Sequence, residues 1–237
     1  MKPSNPDLPE ILAAEAGRAW EYILERAGEN LTLQLQQALA DKPEALQLPR
    51  VLACSPFVAD LLRRQPRLLL DWVVSGDLQH TLPEQAFGSE LRQWLSVEGA
   101  ELGPVLRKFR MRHMLRIVWR DFCRLCDTLE TVRDTSLLAE ATIVEALACV
   151  QTSLQQRFGV PRGRHSGAAQ ELIVLAMGKL GARELNVSSD IDLIFTFPEA
   201  GQTDDNTQSL SNEEFFTRVG REVISALDQV TADGFVF

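Results

Sequence analysis

Two carboxylates and a glycine-lysine turn are the residues best suited to chemistry in this sequence. Asp190 and Asp192 flank Ile191 at the head of the apolar run Leu193-Ile194-Phe195, and Gly178 and Lys179 follow a second apolar run, Leu172 to Met177. Short apolar runs rich in β-branched and aromatic residues, bounded by glycine or polar clusters, predict buried strands. The stretch Glu171 to Pro198 therefore predicts a strand, a glycine turn, a short helix or polar passage (Glu184 to Ser189), and a second strand. Strand alternation places Asp190 and Asp192 on one face and Ile191 on the other, with the two Cα atoms roughly 6.6 Å apart, twice the rise per residue. Carboxylates so spaced can grip Mg²⁺, or Mn²⁺, from one side and leave its other positions to phosphate oxygens. They can also hold two ions for in-line phosphoryl or nucleotidyl transfer. Gly178 lets a ligand approach the backbone without a Cβ in the way, and Lys179 adds a point positive charge for a phosphate. Gly178, Lys179, Ser188 and Ser189 are thus the candidates for the phosphate or nucleotide side, and Asp190 and Asp192 for the catalytic and metal-binding side.

An isolated Asp-x-Asp is most often a solvated turn or strand end. This one terminates an otherwise apolar run and lies about a dozen residues after a Gly-Lys turn. It is neither a Walker loop, because G-x-x-x-x-G-K-[ST] is absent, nor an EF-hand loop, which needs more oxygen ligands and a closing Glu.

Gly-Lys followed after ten residues by Asp-x-Asp resembles the signature of the nucleotidyltransferase superfamily that includes DNA polymerase β. The longer string MGKLGARELNVSSDIDLIF is similar, more specifically, to the bacterial glutamine synthetase adenylyltransferase/adenylyl-removing enzyme family. The family's usual form has glycine where this chain has Ala182, and commonly where it has Ala176; neither position is a metal ligand. The related uridylyltransferases carry an arginine in the turn in place of Lys179. The resemblance extends to Ser55–Val73, Lys108–Asp121 and Glu213–Phe237, most of the chain after about residue 50.

The resemblance implies a polymerase β-like domain in which Asp190 and Asp192 are metal ligands for Mg²⁺ or Mn²⁺. It implies a third carboxylate in an R-x-D-x-R-L-R-P segment beyond Phe237, so that the chain corresponds to an incomplete N-terminal, adenylyl-removing half and is itself inactive. The implied reaction is attack of orthophosphate on an adenylylated tyrosine of glutamine synthetase, releasing ADP and restoring the tyrosine. The complete enzyme also adenylylates with ATP and responds to the PII signal protein and glutamine, controlling nitrogen assimilation. Two alternatives stand beside this: an inactive regulatory or interaction fragment, and a nucleotidyltransferase acting on another substrate.

The 237 residues suit one or two domains, and 45% hydrophobic content suits a core. A net charge of −9 argues against a general nucleic-acid binder, which is normally basic. No uninterrupted apolar run reaches the eighteen or so residues of a membrane span, and MKPSNPDLPE lacks a signal-peptide pattern; the expected location is the cytoplasm, away from membranes. Cys54 and Cys149 are isolated, and Cys123-x-x-Cys126 sits in a helical pattern without a second pair to complete a zinc site. Packed, reduced thiols are expected. His80, His113 and His165 share no ligand spacing and are assigned no role.

The fold class expected is mainly α with a small α/β part: a helical region over residues 1–160, then a nucleotidyltransferase domain over 161–237. Apolar residues from Ile11 to Leu24 recur at helical spacing, and a second helix follows from about Leu31 to Ala40. Ser55-Pro56 starts a helix, and Pro66 restarts one. Leu78 to Gly88 reads as a loop, Glu90 to Val97 as a short helix, about Glu101 to Glu130 as one long helix, and Ser136 to Phe158 as another. In the long helix Lys108, Arg112, Arg116, Arg120 and Arg124 recur every four residues, which predicts a solvated basic face or, alternatively, a strip for an acidic partner or phosphate. Gly159 to Ala169 reads as a linker and Glu199 to Ser209 as a polar loop. Ser211 and Glu214 form a capping box, and Asp233-Gly234 turns into a third strand at Phe235.

Overall fold

A computed structural model describes residues 8–205, 208–231 and 236–237. The chain is mainly α with a small α/β part, as expected. The helices are α1 Glu10–Leu39, α2 Pro43–Cys54, α3 Pro56–Arg64, α4 Arg67–Ser75, α5 Ala86–Leu95, α6 Leu102–Phe122, α7 Thr128–Phe158, α8 Gly178–Gly181 and α9 Asn212–Asp228. The strands are β1 Pro161–Gly163, β2 Ile173–Ala176, β3 Leu193–Thr196 and β4 Gly201–Thr203. Two compact units emerge, one from residues up to Pro83 with Met111–Thr131, the other from Glu84–Arg110 with Val132–Phe237.

The first unit is helical throughout. α1 bends at Gly28, whose φ of 73° leaves helical space, so its two halves are the two helices that the apolar periodicity predicts. Ser55 caps α3 by accepting from Val58 N, with Pro56 at the first turn; such a cap is worth about 1 kcal/mol. Gly76 ends α4 in the left-handed region. Trp20, Ile23, Leu35, Leu48, Leu61 and Trp72 form the core. α2 has no counterpart in the sequence reading, because Pro49 lies inside it and an interior proline argues against a helix.

The basic stripe of α6 is not a solvated face. Met111 and every residue from His113 to Arg120 are buried. Arg116 is fully buried and donates to the carbonyl oxygens of Asp77, at 3.1 Å, and His80. Arg120, 2% exposed, pairs with Glu130 at 2.7 Å and donates to Leu78 O at 2.9 Å and Leu125 O at 3.1 Å. The guanidinium of Arg112 stacks on Trp72 at 3.9 Å. Four-residue spacing groups side chains on one side of a helix but does not say whether water or carbonyls meet them. Here the 77–81 loop supplies the carbonyls, and only Lys108 and Arg124 of the stripe are exposed.

The predicted long helix also stops early. Arg124 takes a φ of 55°, and Asp127 Oδ1 accepts from Glu130 N at 2.8 Å, so α7 starts at Thr128 rather than Ser136. Cys123 and Cys126 therefore fall in the turn between the two helices. All four cysteines are free, and burial pushes the Cys123 thiol up to about 12, far from the thiolate a nucleophile needs.

In the second unit α7 is the core helix. It is the one single helix among the described residues long and apolar enough to cross a membrane, a length no uninterrupted apolar run reaches; half of its most apolar window is buried within the protein. Two antiparallel strand pairs follow it in the chain, β2 with β3 and, outside them in sequence, β1 with β4. The second was not expected, since Pro161–Gly163 reads as linker and Gly201–Thr203 as loop. Gly201 permits it, because a Cβ there would collide with the Arg162 carbonyl. α9 begins with the predicted capping box, Ser211 Oγ accepting from Glu214 N at 3.2 Å. The predicted turn at Asp233-Gly234 and the start of a third strand at Phe235 lie outside the described residues; Val236 and Phe237 both donate to Leu227 O.

Candidate active site

The β2–β3 hairpin positions the motif. Leu175 pairs with Ile194 and Ala176 with Leu193. The ladder runs one step further, because Met177 N donates to Asp192 O at 2.9 Å. Asp192 and Asp190 thus lie just ahead of β3 rather than within it. The burial pattern still alternates: Asp190, Asp192, Ile194 and Thr196 are exposed, while Ile191, Leu193 and Phe195 are half-buried. The two carboxylates consequently share a side with the exposed row of the sheet.

The strands themselves are not buried as their apolar runs predict. Ile173, Leu175, Met177 and Ile194 are 44–47% exposed. A continuous apolar run signals burial when both faces of a sheet are covered. Here β2 and β3 pair only with each other among the described residues, and the covered face is the one holding Phe195, which lies opposite Gly220 of α9.

The chain then turns through α8. Gly178 has a φ of 53°, and a Cβ added to it would stand 4.0 Å from Asp192 Oδ2. Space would admit that carbon; the backbone conformation is what favours glycine. The turn and the carboxylate therefore face each other across the end of the ladder. Lys179, exposed on α8, donates to Ser189 Oγ at 3.2 Å. Ser188 and Ser189 sit in the following turn, both bonded to Asn186 Oδ1. All six predicted site residues thus fall within one hairpin and its connection. A cleft of about 360 Å³ opens beside the carboxylates, lined by Asp190, Ile191, Asp192, Ile224, Asp228 and Phe237 among others. A larger cleft of about 460 Å³ lies between α7 and the hairpin and includes neither carboxylate.

Comparison with known proteins bears directly on this motif. The family model for glutamate-ammonia ligase adenylyltransferase matches residues 45–237, which include the hairpin and both carboxylates. The chain belongs to this family. It is 42% identical over 242 residues to the bifunctional glutamine synthetase adenylyltransferase/adenylyl-removing enzyme of Pseudomonas syringae pv. tomato, covering 99% of this chain and 24% of that protein. The enzyme of the same name from Nitrosococcus oceani is 48% identical over 190 residues, 79% of this chain and 20% of the relative. That of Shewanella oneidensis is 38% identical over 245 residues, 100% of this chain and 24% of the relative. The chain spans about a quarter of the length of the curated relatives it matches.

For this member of the adenylyltransferase family, a metal can be weighed against the donors present. Among the described residues no group of three His, Cys, Asp or Glu side chains is placed to hold an ion. Two carboxylates with open space beside them still fit Mg²⁺, which commonly takes one or two carboxylates and completes its shell with water and substrate phosphates. Asp190 and Asp192 are the residues that would hold it.

Two residues of the site escaped the sequence reading. Asp228 ends α9 and enters the cleft through the fold alone. Asn186 carried a local signal: an Asn two or three residues ahead of serines closes an Asx turn onto them. The whole turn is anchored at Leu185, fully buried, whose N–H donates to Ser136 Oγ at 3.0 Å while Ser136 donates to Val132 O at 2.7 Å. Replacing Ser136 by Ala removes the acceptor and leaves the Leu185 N–H buried without it. The expected loss is about 1–3 kcal/mol, read by urea unfolding, with faster exchange of the Leu185 amide. Unchanged exchange would show that the anchor does not hold the turn.

Proposed function

We propose that this chain carries the adenylyl-removing centre of a bifunctional adenylyltransferase acting on glutamine synthetase, with residues 161–237 as its nucleotidyltransferase domain. The reaction is phosphorolysis. An oxygen of orthophosphate attacks the phosphorus of the adenylylated tyrosine, the bond to the tyrosine oxygen breaks, and ADP and free tyrosine result. The observation that carries this reading is the placement of the Gly178–Lys179 turn against Asp192, on a chain whose family acts on glutamine synthetase by name.

The residues suit the chemistry. Phosphate is already an anion, so no protein base is needed to activate it, and the task is positioning and neutralisation of charge. Lys179 supplies a cation for the incoming phosphate. Gly178 leaves its backbone open, and Ser188 and Ser189 border the same approach. Asp190 and Asp192 would hold Mg²⁺ or Mn²⁺, which supplies charge stabilisation at the phosphoryl oxygens. Adenylylated glutamine synthetase is the protein partner, the PII protein the regulator, and the cytoplasm the setting.

The test uses a protein of the relatives' full length that carries this sequence. Given adenylylated glutamine synthetase, Mg²⁺ and phosphate, it should release ADP, and Asp190→Asn should abolish that release while ATP-dependent adenylylation continues. Loss of adenylylation with phosphorolysis intact would assign the centre to the opposite reaction. Lys179→Ala should raise the half-saturating phosphate concentration about tenfold with little change in melting temperature. A single lost charge-assisted contact of about 1.5 kcal/mol corresponds to that factor.

A further inference from the structure

We propose that Asn186 is a positioning residue for the phosphate side of the site: its amide oxygen fixes the Ser189 hydroxyl and, through it, the Lys179 ammonium. The directions of these bonds follow from what each group can do. The Ser188 N–H only donates, so the atom of Asn186 facing it at 3.2 Å is the acceptor oxygen, not the amide nitrogen. The Lys179 ammonium only donates, so Ser189 Oγ accepts from it at 3.2 Å. The proton of Ser189 then goes to Asn186 Oδ1, at 2.6 Å. Ser188 Oγ approaches the same oxygen at 3.4 Å.

Ser189 is thus committed at both ends. Its proton is given to Asn186 and one lone pair to Lys179, so in this state it couples two residues and has no proton to offer a phosphate. The hub is held from behind. Asn186 follows Leu185, which is buried and bonded to Ser136 of α7, and Asn186 O accepts from Ser189 N at 3.1 Å. A rigid path therefore leads from the core helix through Leu185, Asn186 and Ser189 to the lysine. A lysine on a free four-carbon stem must be ordered when an anion arrives; one already held in place avoids that loss, which is what preorganisation means for binding.

This inference rests on the reading of Lys179 as the phosphate-side cation, so its test has one arm independent of activity. In the isolated chain labelled with [¹³C]lysine, NMR relaxation at Cε distinguishes Lys2, Lys42, Lys108 and Lys179. Lys179 should be ordered, and Asn186→Ala or Ser189→Ala should loosen it to the level of exposed Lys108, whereas Ser189→Thr, which keeps the hydroxyl, should not. In the full-length protein carrying this sequence, Asn186→Ala should raise the KM for inorganic phosphate about five- to tenfold with kcat within twofold. In a Lys179→Ala background the same substitution should add nothing. An equal loss in both backgrounds would show a merely structural role and overturn the proposal, as would a Lys179 signal indifferent to Asn186. If Lys179→Ala itself leaves the phosphate KM unchanged, the phosphate-side assignment falls, and the relaxation arm alone decides whether the relay exists.

Discussion

Asp192→Asn, placed in a protein of the relatives' full length that carries this sequence, is expected to lower the proposed phosphorolytic AMP removal by about 10²–10³-fold, the range that loss of one transition-state stabilising group produces. The substitution keeps size and shape and removes only the charge. Asp192 is exposed, its side chain lies near Gly178, and the backbone bond from Met177 to its carbonyl does not involve the side chain. The hairpin should therefore keep its register. Relief of repulsion between neighbouring carboxylates should hold the melting temperature level or raise it slightly. The metal readout needs no turnover: Mn²⁺ added to the isolated chain should broaden NMR signals of residues around 177–178 and 190–193, and Asp192→Asn should weaken that broadening. Near-normal turnover in the variant, or broadening centred elsewhere, would remove Asp192 from the metal site.

The parts of this site that were legible are those governed by local rules. Alternation placed Asp190 and Asp192 on one side even though they precede β3, because the ladder extends to Asp192 through Met177. Ser55 and Ser211 mark helix starts by chemistry that acts within four residues. What stayed hidden depends on partners distant in sequence. The exposure of Ile173, Leu175 and Ile194 follows from how many strands share the sheet, which the runs themselves do not encode. The β1–β4 pair joins segments about forty residues apart whose compositions both read as loop. Asp228 reaches the cleft only because α9 packs across the hairpin. Asn186 is the intermediate case: its turn is local, but the link from Ser189 to Lys179 spans ten residues and closes only when the glycine turn folds back.

Arg120→Ala should be among the most destabilising single changes in the first unit, at about 3–5 kcal/mol, because it takes the guanidinium from a half-buried carboxylate, which keeps only the Thr81 hydroxyl at 2.8 Å, and from the buried Leu78 carbonyl. The Arg120 side chain is 3% exposed and that of its partner Glu130 15%. Its Nε and Nη2 meet Glu130, Nη1 meets Leu78 O, and Nη2 also reaches Leu125 O. Against a typical total stability of about 5–15 kcal/mol, that loss would threaten folding at ordinary temperature. The mechanism can be separated from simple loss of packing. Arg120→Met restores most of the volume but not the donors and should remain costly. Adding Glu130→Gln to it removes the stranded charge and should recover more than about 1 kcal/mol, a non-additivity expected only for directly coupled residues. Recovery should be incomplete, since Leu78 O and Leu125 O stay without the guanidinium. Lys108→Ala and Arg124→Ala, the exposed members of the same stripe, should each fall within about 0.5 kcal/mol of the parent. Urea unfolding of these five variants and of Glu130→Gln alone, which completes the cycle, beside the parent decides the matter. A loss below 1 kcal/mol for Arg120→Ala, or equal losses along the stripe, would mean that the stripe is a solvated face after all and that the 77–81 loop is held by other contacts.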